Sequence, residues 1–217
     1  MSLGRKEFMS YIDIVKHYEQ CYRTFGDNHK GVDWPKLEDV NTRYQVMLEV
    51  IKFDSKCKER PTVLDFGCGL GHMLEYINKQ NINVQYEGCD ISKVFIKRCK
   101  EKYPDYYFVT KDILKDDNQN FEKQYDYIVL NGVLTEKREL SYEEMFCYFK
   151  KLIKKLYSSC NHGIAFNVMS KDVDWEREDL FHLSLDQLSN FLTKEVSRNF
   201  IIRNDYGLYE YTTYLYK

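Results

Sequence analysis

The chain has 217 residues, 43% hydrophobic and 30% charged, which suits one domain with an appendage and suffices to bury a proper core. Lys and Arg number 32 against 34 Asp and Glu, a net charge of −2, and such a balance argues against wholesale binding of nucleic-acid phosphates. Seven scattered cysteines without a C-x-x-C pair fit reduced thiols rather than a disulfide framework. No apolar run is long enough to span a bilayer and no charged-then-apolar leader is recognisable, so a cytoplasmic protein with no membrane partner is expected.

Residues 5–25 read as an amphipathic helix, with Phe8, Ile12, Val15 and Tyr18 to Tyr22 at helical spacing. The stretch from Gly26 to Gly31 is a loop by composition. After Trp34 and Pro35, residues 40–53 read as a second helix with Tyr44, Met47, Leu48 and Ile51 on one face. The expected division is a helical segment over residues 1–55 and a second unit over 56–217. Two readings of the first segment stand open. It covers one edge of a sheet, or it is an aromatic lid that sheds water from a pocket, with Trp34 and Arg43 facing inward.

The stretch Val63-Leu64-Asp65-Phe66-Gly67-Cys68-Gly69-Leu70-Gly71-His72 reads as a strand, a glycine turn and the start of a helix over 72–80. This is the opening of a nucleotide-binding α/β unit, in which backbone approaches a ligand at a helix N-terminus. The dinucleotide fingerprint G-x-G-x-x-G is not matched, because His72 stands where the third glycine belongs. Asp65 at the strand's end would repel a pyrophosphate and suits a ligand bearing a positive ammonium or sulfonium. The spacing of a P-loop is absent.

Asp65-Phe66-Gly67-Cys68-Gly69-Leu70-Gly71 resembles the first motif of the class I S-adenosylmethionine-dependent methyltransferases. The resemblance runs from about residue 60 to the C-terminus. It implies a Rossmann-like, doubly wound α/β fold with a mainly parallel sheet, a C-terminal antiparallel hairpin and, here, an N-terminal helical cap. It also implies S-adenosyl-L-methionine as cofactor and S-adenosyl-L-homocysteine as product, with Asp65, Gly67, Cys68, Gly69 and Gly71 in the first binding loop.

A second strand, 84–90, ends in Asp90, roughly 20 residues past the glycines, where an acidic residue accepts hydrogen bonds from ribose hydroxyls; Ile91 follows it at the cofactor. Ser92 is a candidate N-cap for a helix to Tyr103 whose apolar positions Val94, Phe95 and Cys99 are expected to face inward. A third strand, 106–109, leads to Asp112 and Ile113, which the resemblance places against the adenine amino group and face. Residues 114–124 are polar and read as a loop or a short helix. The fourth strand, 125–131, has an unbroken apolar centre, as in a parallel sheet buried on both faces. Strands one and four are expected to flank the topological switch point, with Asn131 and Gly132 beside the transferable methyl group.

Ser141 and Glu144 form a capping box for a helix to about Ser159, its buried stripe running from Met145 to Leu156. Its lysines at 150, 151, 154 and 155 read as a solvated face complementing the helix dipole. A fifth strand, 163–169, precedes an acidic, aromatic insert with Trp175, Phe181 and His182; family inserts at this place commonly form substrate walls. Ser184 caps a further helix, and residues 200–202 and 209–216 read as an antiparallel pair near a sheet edge.

The function expected is methyl transfer to a small-molecule acceptor, for example a sugar or another hydroxyl- or carboxyl-bearing metabolite. His182 is the candidate general base, and Trp34, Arg43 and Trp175 are candidate substrate or lid residues. No metal site is expected, since the histidines show no ligand spacing with one another or with cysteine. A nicotinamide oxidoreductase is disfavoured by His72 and Asp65. A nucleic-acid acceptor is disfavoured by the charge balance and by the missing Asn/Asp-Pro-Pro-Tyr motif. A protein or RNA methyltransferase, or a non-catalytic subunit that binds the cofactor, are the alternatives.

Overall fold

A computed structural model of the chain describes residues 3–115, 121 and 123–217, with side chains from residue 11 onward. Phe8 and most of the polar stretch 114–124 therefore lie outside the described side chains. The elements are helices α1 (Leu3–Phe25), α2 (Leu37–Leu48), α3 (His72–Lys79), α4 (Lys93–Lys102), α5 (Tyr142–Ser158) and α6 (Leu185–Glu195). The strands are β1 (Thr62–Phe66), β2 (Gln85–Asp90), β3 (Tyr107–Thr110), β4 (Tyr125–Leu130), β5 (Cys160–Ser170), β6 (His182–Leu183), β7 (Phe200–Arg203) and β8 (Glu210–Tyr216). Single 3-10 turns follow α1 at His29–Val32 and α2 at Glu49–Ile51.

The sheet order is β3-β2-β1-β4-β5-β8-β7, with β6 pairing on β5. All pairings are parallel except those of β8, which runs antiparallel to both β5 and β7. This is the doubly wound arrangement expected, including the C-terminal hairpin. Two apolar clusters cover the two sheet faces. One gathers Phe149, Leu152 and Ile153 of α5 with Phe191 and Leu192 of α6; the other gathers Met47 of α2, Leu74 and Ile77 of α3 and Ile96 of α4. Every residue of β4 is buried, as its continuous apolar centre requires.

The predicted caps form. Ser141 Oγ accepts from Glu144 N–H while Glu144 accepts from Ser141 N–H at 2.9 Å, and Ser92 and Ser184 accept from the amides of Phe95 and Gln187. The lysine face of α5 is solvated, and Lys150 and Lys154 also reach Glu195 of α6. In α4 the inward positions are Phe95, Ile96 and Cys99, whereas Val94 is exposed. The helical period carries Val94 past the buried stripe.

Two features depart from a simple edge cover. Helix α2 is part of the core, with Met47 and the following Val50 buried. β8 lies inside the sheet and buries all seven of its positions, because α2 and its 3-10 turn cover one face. There the hydroxyl of Tyr214 donates to Val46 O and that of Tyr216 to Val50 O, which lets polar tyrosine tips enter an apolar layer.

Asp126 fastens β4 to the start of β1. Its carboxylate accepts from Thr62 N–H at 2.9 Å, from Thr62 Oγ and from Lys58 Nζ. Burial works to raise its pKa, but the Lys58 ammonium and the Thr62 donors outweigh burial and hold the carboxyl below its ordinary value. Asp126→Ala is expected to cost about 1 kcal/mol in a urea unfolding experiment, since it leaves the half-buried amide and hydroxyl of Thr62 without their acceptor. The contribution of Asp126 is complete above the unfolded-state pKa and fades as the pH falls through the folded one.

Candidate active site

β1 is flanked by β2 on one side and β4 on the other, so the winding reverses between β1 and β4 and opens a crevice at their C-terminal ends. Beyond β1 the chain turns through three glycines of positive φ, 79° at Gly67, 53° at Gly69 and 76° at Gly71. At Gly67 an added Cβ would lie 2.3 Å from Val133 Cγ2, so only glycine lets this turn pass the segment after β4. Gly71 is the N-cap of α3. The turn is pinned to the end of β2, with Gly67 and Cys68 donating to Cys89 O at 2.7 and 3.0 Å.

A cavity of about 1140 Å³, counting the space at its mouth, occupies the crevice, on the scale of a cofactor or substrate site. Asp65, Gly67, Cys68 and Gly69 line it from the end of β1 and its turn, Asp90 and Ile91 from the end of β2, and Asp112 and Ile113 from the end next to β3. Asn131 and Gly132 line it from the end of β4, and Trp34 closes it from the N-terminal segment. Gly71 acts from behind as the helix cap.

Three carboxylates converge on the cavity. Asp65 is 3% exposed and accepts from Tyr86 Oη at 2.8 Å. Burial pushes its pKa up to about 7, opposed by the Tyr86 hydrogen bond and assisted by the nearby Asp90 charge. Asp90 accepts from Gly69 N–H at 2.9 Å and Ser92 N–H at 2.8 Å; burial raises it to about 6 against those hydrogen bonds. Asp112 accepts from Leu114 N–H at 3.2 Å and from Tyr11 Oη at 2.6 Å. A carboxylate offers about four lone-pair sites, so all three keep acceptor capacity for a ligand.

The N-terminal segment walls the opposite side. Tyr11, Tyr18 and Tyr44 line the cavity with Trp34, and the Trp34 ring lies 5.6 Å from that of Tyr44. Trp34 packs on Gly132, where an added Cβ would be 3.4 Å from the indole. Arg43 stands outside the lining. Its guanidinium sits 5.3 Å from the Trp34 ring centroid and its Nε lies 3.0 Å from Glu210. Glu210 accepts from Asn167 Nδ2 at 2.9 Å, and Asn167 Oδ1 accepts from Gly132 N–H at 2.8 Å. Arg43, Glu210 and Asn167 thus form a buried circuit that sets Trp34 against Gly132. Both polar atoms of the neighbouring Asn131 amide are buried without a partner among the described residues.

His182 is not at the cavity. It lies in β6, where Nδ1 contacts Ser170 O at 2.6 Å and Nε2 accepts from Arg177 N–H at 3.2 Å. Both nitrogens are consumed in fastening the insert to the end of β5, so the ring is structural and the general-base role falls away. Trp175 also lies outside the lining, 69% exposed and 6.5 Å from the ring of Tyr209. The spacing argument against metal ligands overlooked His17 and Cys21, one turn apart on α1, which meet Asp33 with their donor atoms within 4.8 Å. The Arg138 guanidinium is packed on His17 and lies 3.1 Å from Asp33, so a cation already answers this carboxylate and the group ties the N-terminal segment to the loop after β4. Tyr11, Tyr18, Asn167 and Glu210 were not anticipated at the site; of these only Tyr18 stood among the residues at helical spacing in the first helix.

The fold and this site define an α/β protein of the class I methyltransferase type. A family model described as a methyltransferase domain matches residues 64–154. A Mycobacterium tuberculosis protein named as a methyltransferase, Rv1506c, is 22% identical over 158 residues, covering 70% of this chain and 90% of that protein. Among solved structures, the plantazolicin methyltransferase BpumL, in complex with a pentazolic desmethylPZN analog and SAH, matches with a TM-score of 0.60 at 18% identity over 94% of this chain and 98% of its own. The magnesium protoporphyrin IX methyltransferase ChlM of Synechocystis PCC 6803 with bound SAH matches with a TM-score of 0.61 at 15% identity over 94% of this chain and 99% of its own. Residues 64–154 thus carry a methyltransferase-domain match, and the chain shares the Rossmann-like fold of these methyltransferases. Among the described residues no helix is long and apolar enough to cross a membrane.

Proposed function

We propose that this enzyme methylates a small-molecule acceptor in a reducing, cytoplasmic compartment. The observation that carries the reading is the cavity itself. One half is built from the glycine turn and three carboxylates, and the other half is walled by aromatic side chains of the N-terminal segment. The fit to S-adenosylmethionine is chemical. Asp65 answers the ammonium of the methionine end, the backbone at Gly69 gives close approach, Asp90 accepts from ribose hydroxyls, and Asp112 with Ile113 takes the adenine.

When bound, S-adenosylmethionine supplies a methyl group already activated on a sulfonium, so the chain's task is alignment and exclusion of water. Asn131 and Gly132 hold the acceptor side of the cavity. Trp34 and Tyr18 wall it, with aromatic faces suited to a cationic centre. The unpaired Asn131 amide can both donate to and accept from an acceptor, which relieves an otherwise costly burial. The N-terminal segment acts as the cover that makes this a closed pocket and not a groove for a nucleic acid.

Isothermal titration with S-adenosylmethionine, S-adenosylhomocysteine and NAD(H) tests the reading. The first two are expected to bind with micromolar affinity and the third not at all. Silence from S-adenosylhomocysteine, or binding of NAD(H) in its place, would reject it.

A further inference from the structure

We propose that Tyr11 is a cofactor-binding residue that completes the adenine end of the cavity, so that helix α1 closes directly on the bound nucleoside. This rests on the cofactor reading above and extends it to a segment outside the matched residues 64–154.

Three observations meet at this residue. Tyr11 is 7% exposed and lines the cavity. Its hydroxyl donates to Asp112 Oδ2 at 2.6 Å, and Asp112 Oδ1 accepts from Leu114 N–H. Its ring stacks on that of Tyr148 with centroids 5.6 Å apart and planes 23° apart, and Tyr148 lines the same end of the cavity. The two hydrogen bonds fix the carboxylate without filling it, because about four lone-pair sites are available. An exocyclic amino group can therefore donate to Asp112 while Tyr11 stays in place. The stacked tyrosines supply an apolar flank for a planar base.

The rest of the segment anchors at neighbouring points of the nucleotide site. Glu19 accepts from Ser92 Oγ at 2.7 Å, two residues past Asp90. Asp27 pairs with His72 Nε2 at 2.8 Å, directly after the glycine turn, and with Arg98 and Lys102 of α4. Closure of α1 and occupation of the adenine end are thus coupled through shared residues: each favours the other.

The test is isothermal titration of S-adenosylhomocysteine and of its inosine analogue, which carries a carbonyl in place of the amino group, into the full-length protein. Tyr11→Phe is expected to bind S-adenosylhomocysteine about tenfold more weakly than wild type, because a hydrogen bond to a charged carboxylate is lost. The preference for S-adenosylhomocysteine over the inosine analogue is expected to shrink in the same variant, which a merely structural tyrosine would not cause. Affinity equal to wild type, or equal weakening of both ligands, would overturn the proposal. Wild-type protein that fails to bind S-adenosylhomocysteine would instead reject the cofactor reading beneath it.

Discussion

Gly69→Val is expected to weaken S-adenosylmethionine binding by more than about 100-fold while the domain still folds, the overpacking of a close backbone approach being of that order. The backbone here has φ 53°, and an added Cβ would meet only Val32 Cγ1 at an ordinary 3.5 Å. The fold therefore bears little beyond the left-handed strain of a non-glycine residue, about 1–2 kcal/mol, against a total stability of about 5–15 kcal/mol. The cavity bears the rest. Gly69 lines it and donates its N–H to Asp90, so a branched side chain at this point stands where a nucleoside must approach the backbone. Gly67→Val serves as the contrast, since its Cβ would collide with Val133 at 2.3 Å and should damage the fold as well as the site. Titration with S-adenosylhomocysteine and urea unfolding separate the two effects. Ordinary binding by Gly69→Val would mean that this turn is not the cradle.

Affinity for S-adenosylmethionine is expected to rise with pH up to about 7 and then to level off. Asp65 must be ionised to meet an ammonium, and in the ligand-free protein burial raises it to about 7. Below that pH, binding has to expel the proton, so affinity at about pH 5.5 should be about 30-fold lower than at about pH 8 by linkage. Asp90, raised to about 6, adds in the same direction. Asp65→Asn should lower affinity throughout and flatten the profile; a profile unchanged by that substitution would remove Asp65 from the ammonium site. The sign for stability is the reverse of that for Asp126. The folded protein holds the Asp65 proton more tightly than the unfolded chain, whose group titrates near the ordinary aspartate value of 3.8. Stability therefore falls as the pH rises from there to about 7.

How much could be read without the structure differs between the two halves of the cavity. That the residues at the strand ends share one cavity was legible. Asp65 and the glycines stand within seven residues of one another, and Asp90, Asp112 and Asn131 each lie at or just past the end of a strand. The doubly wound order then brings strand ends to one edge whatever the side chains between them are. The aromatic half was less legible. Trp34 was placed correctly at the pocket, but Arg43 turned out to prop it from behind, and His182, apt by type and region, has both ring nitrogens bound by its own insert.

By itself the sequence determined the local conformations and the periods. Gly67, Gly69 and Gly71 take the positive φ of the turn after β1, Ser92, Ser141 and Ser184 end up as helix caps, and β4 reads as a strand buried on both faces. These depend on a residue and its near neighbours, through sterics and backbone hydrogen bonding. Tertiary structure alone decided the partners: Tyr11 with Asp112, 101 positions apart, Arg43 with Glu210, 167 apart, and His17 with Asp33 and Arg138. A buried polar group must find a complement, but many residues of the right type exist along the chain. Which one it meets is set by how helices stack on the sheet, and no local pattern records that choice.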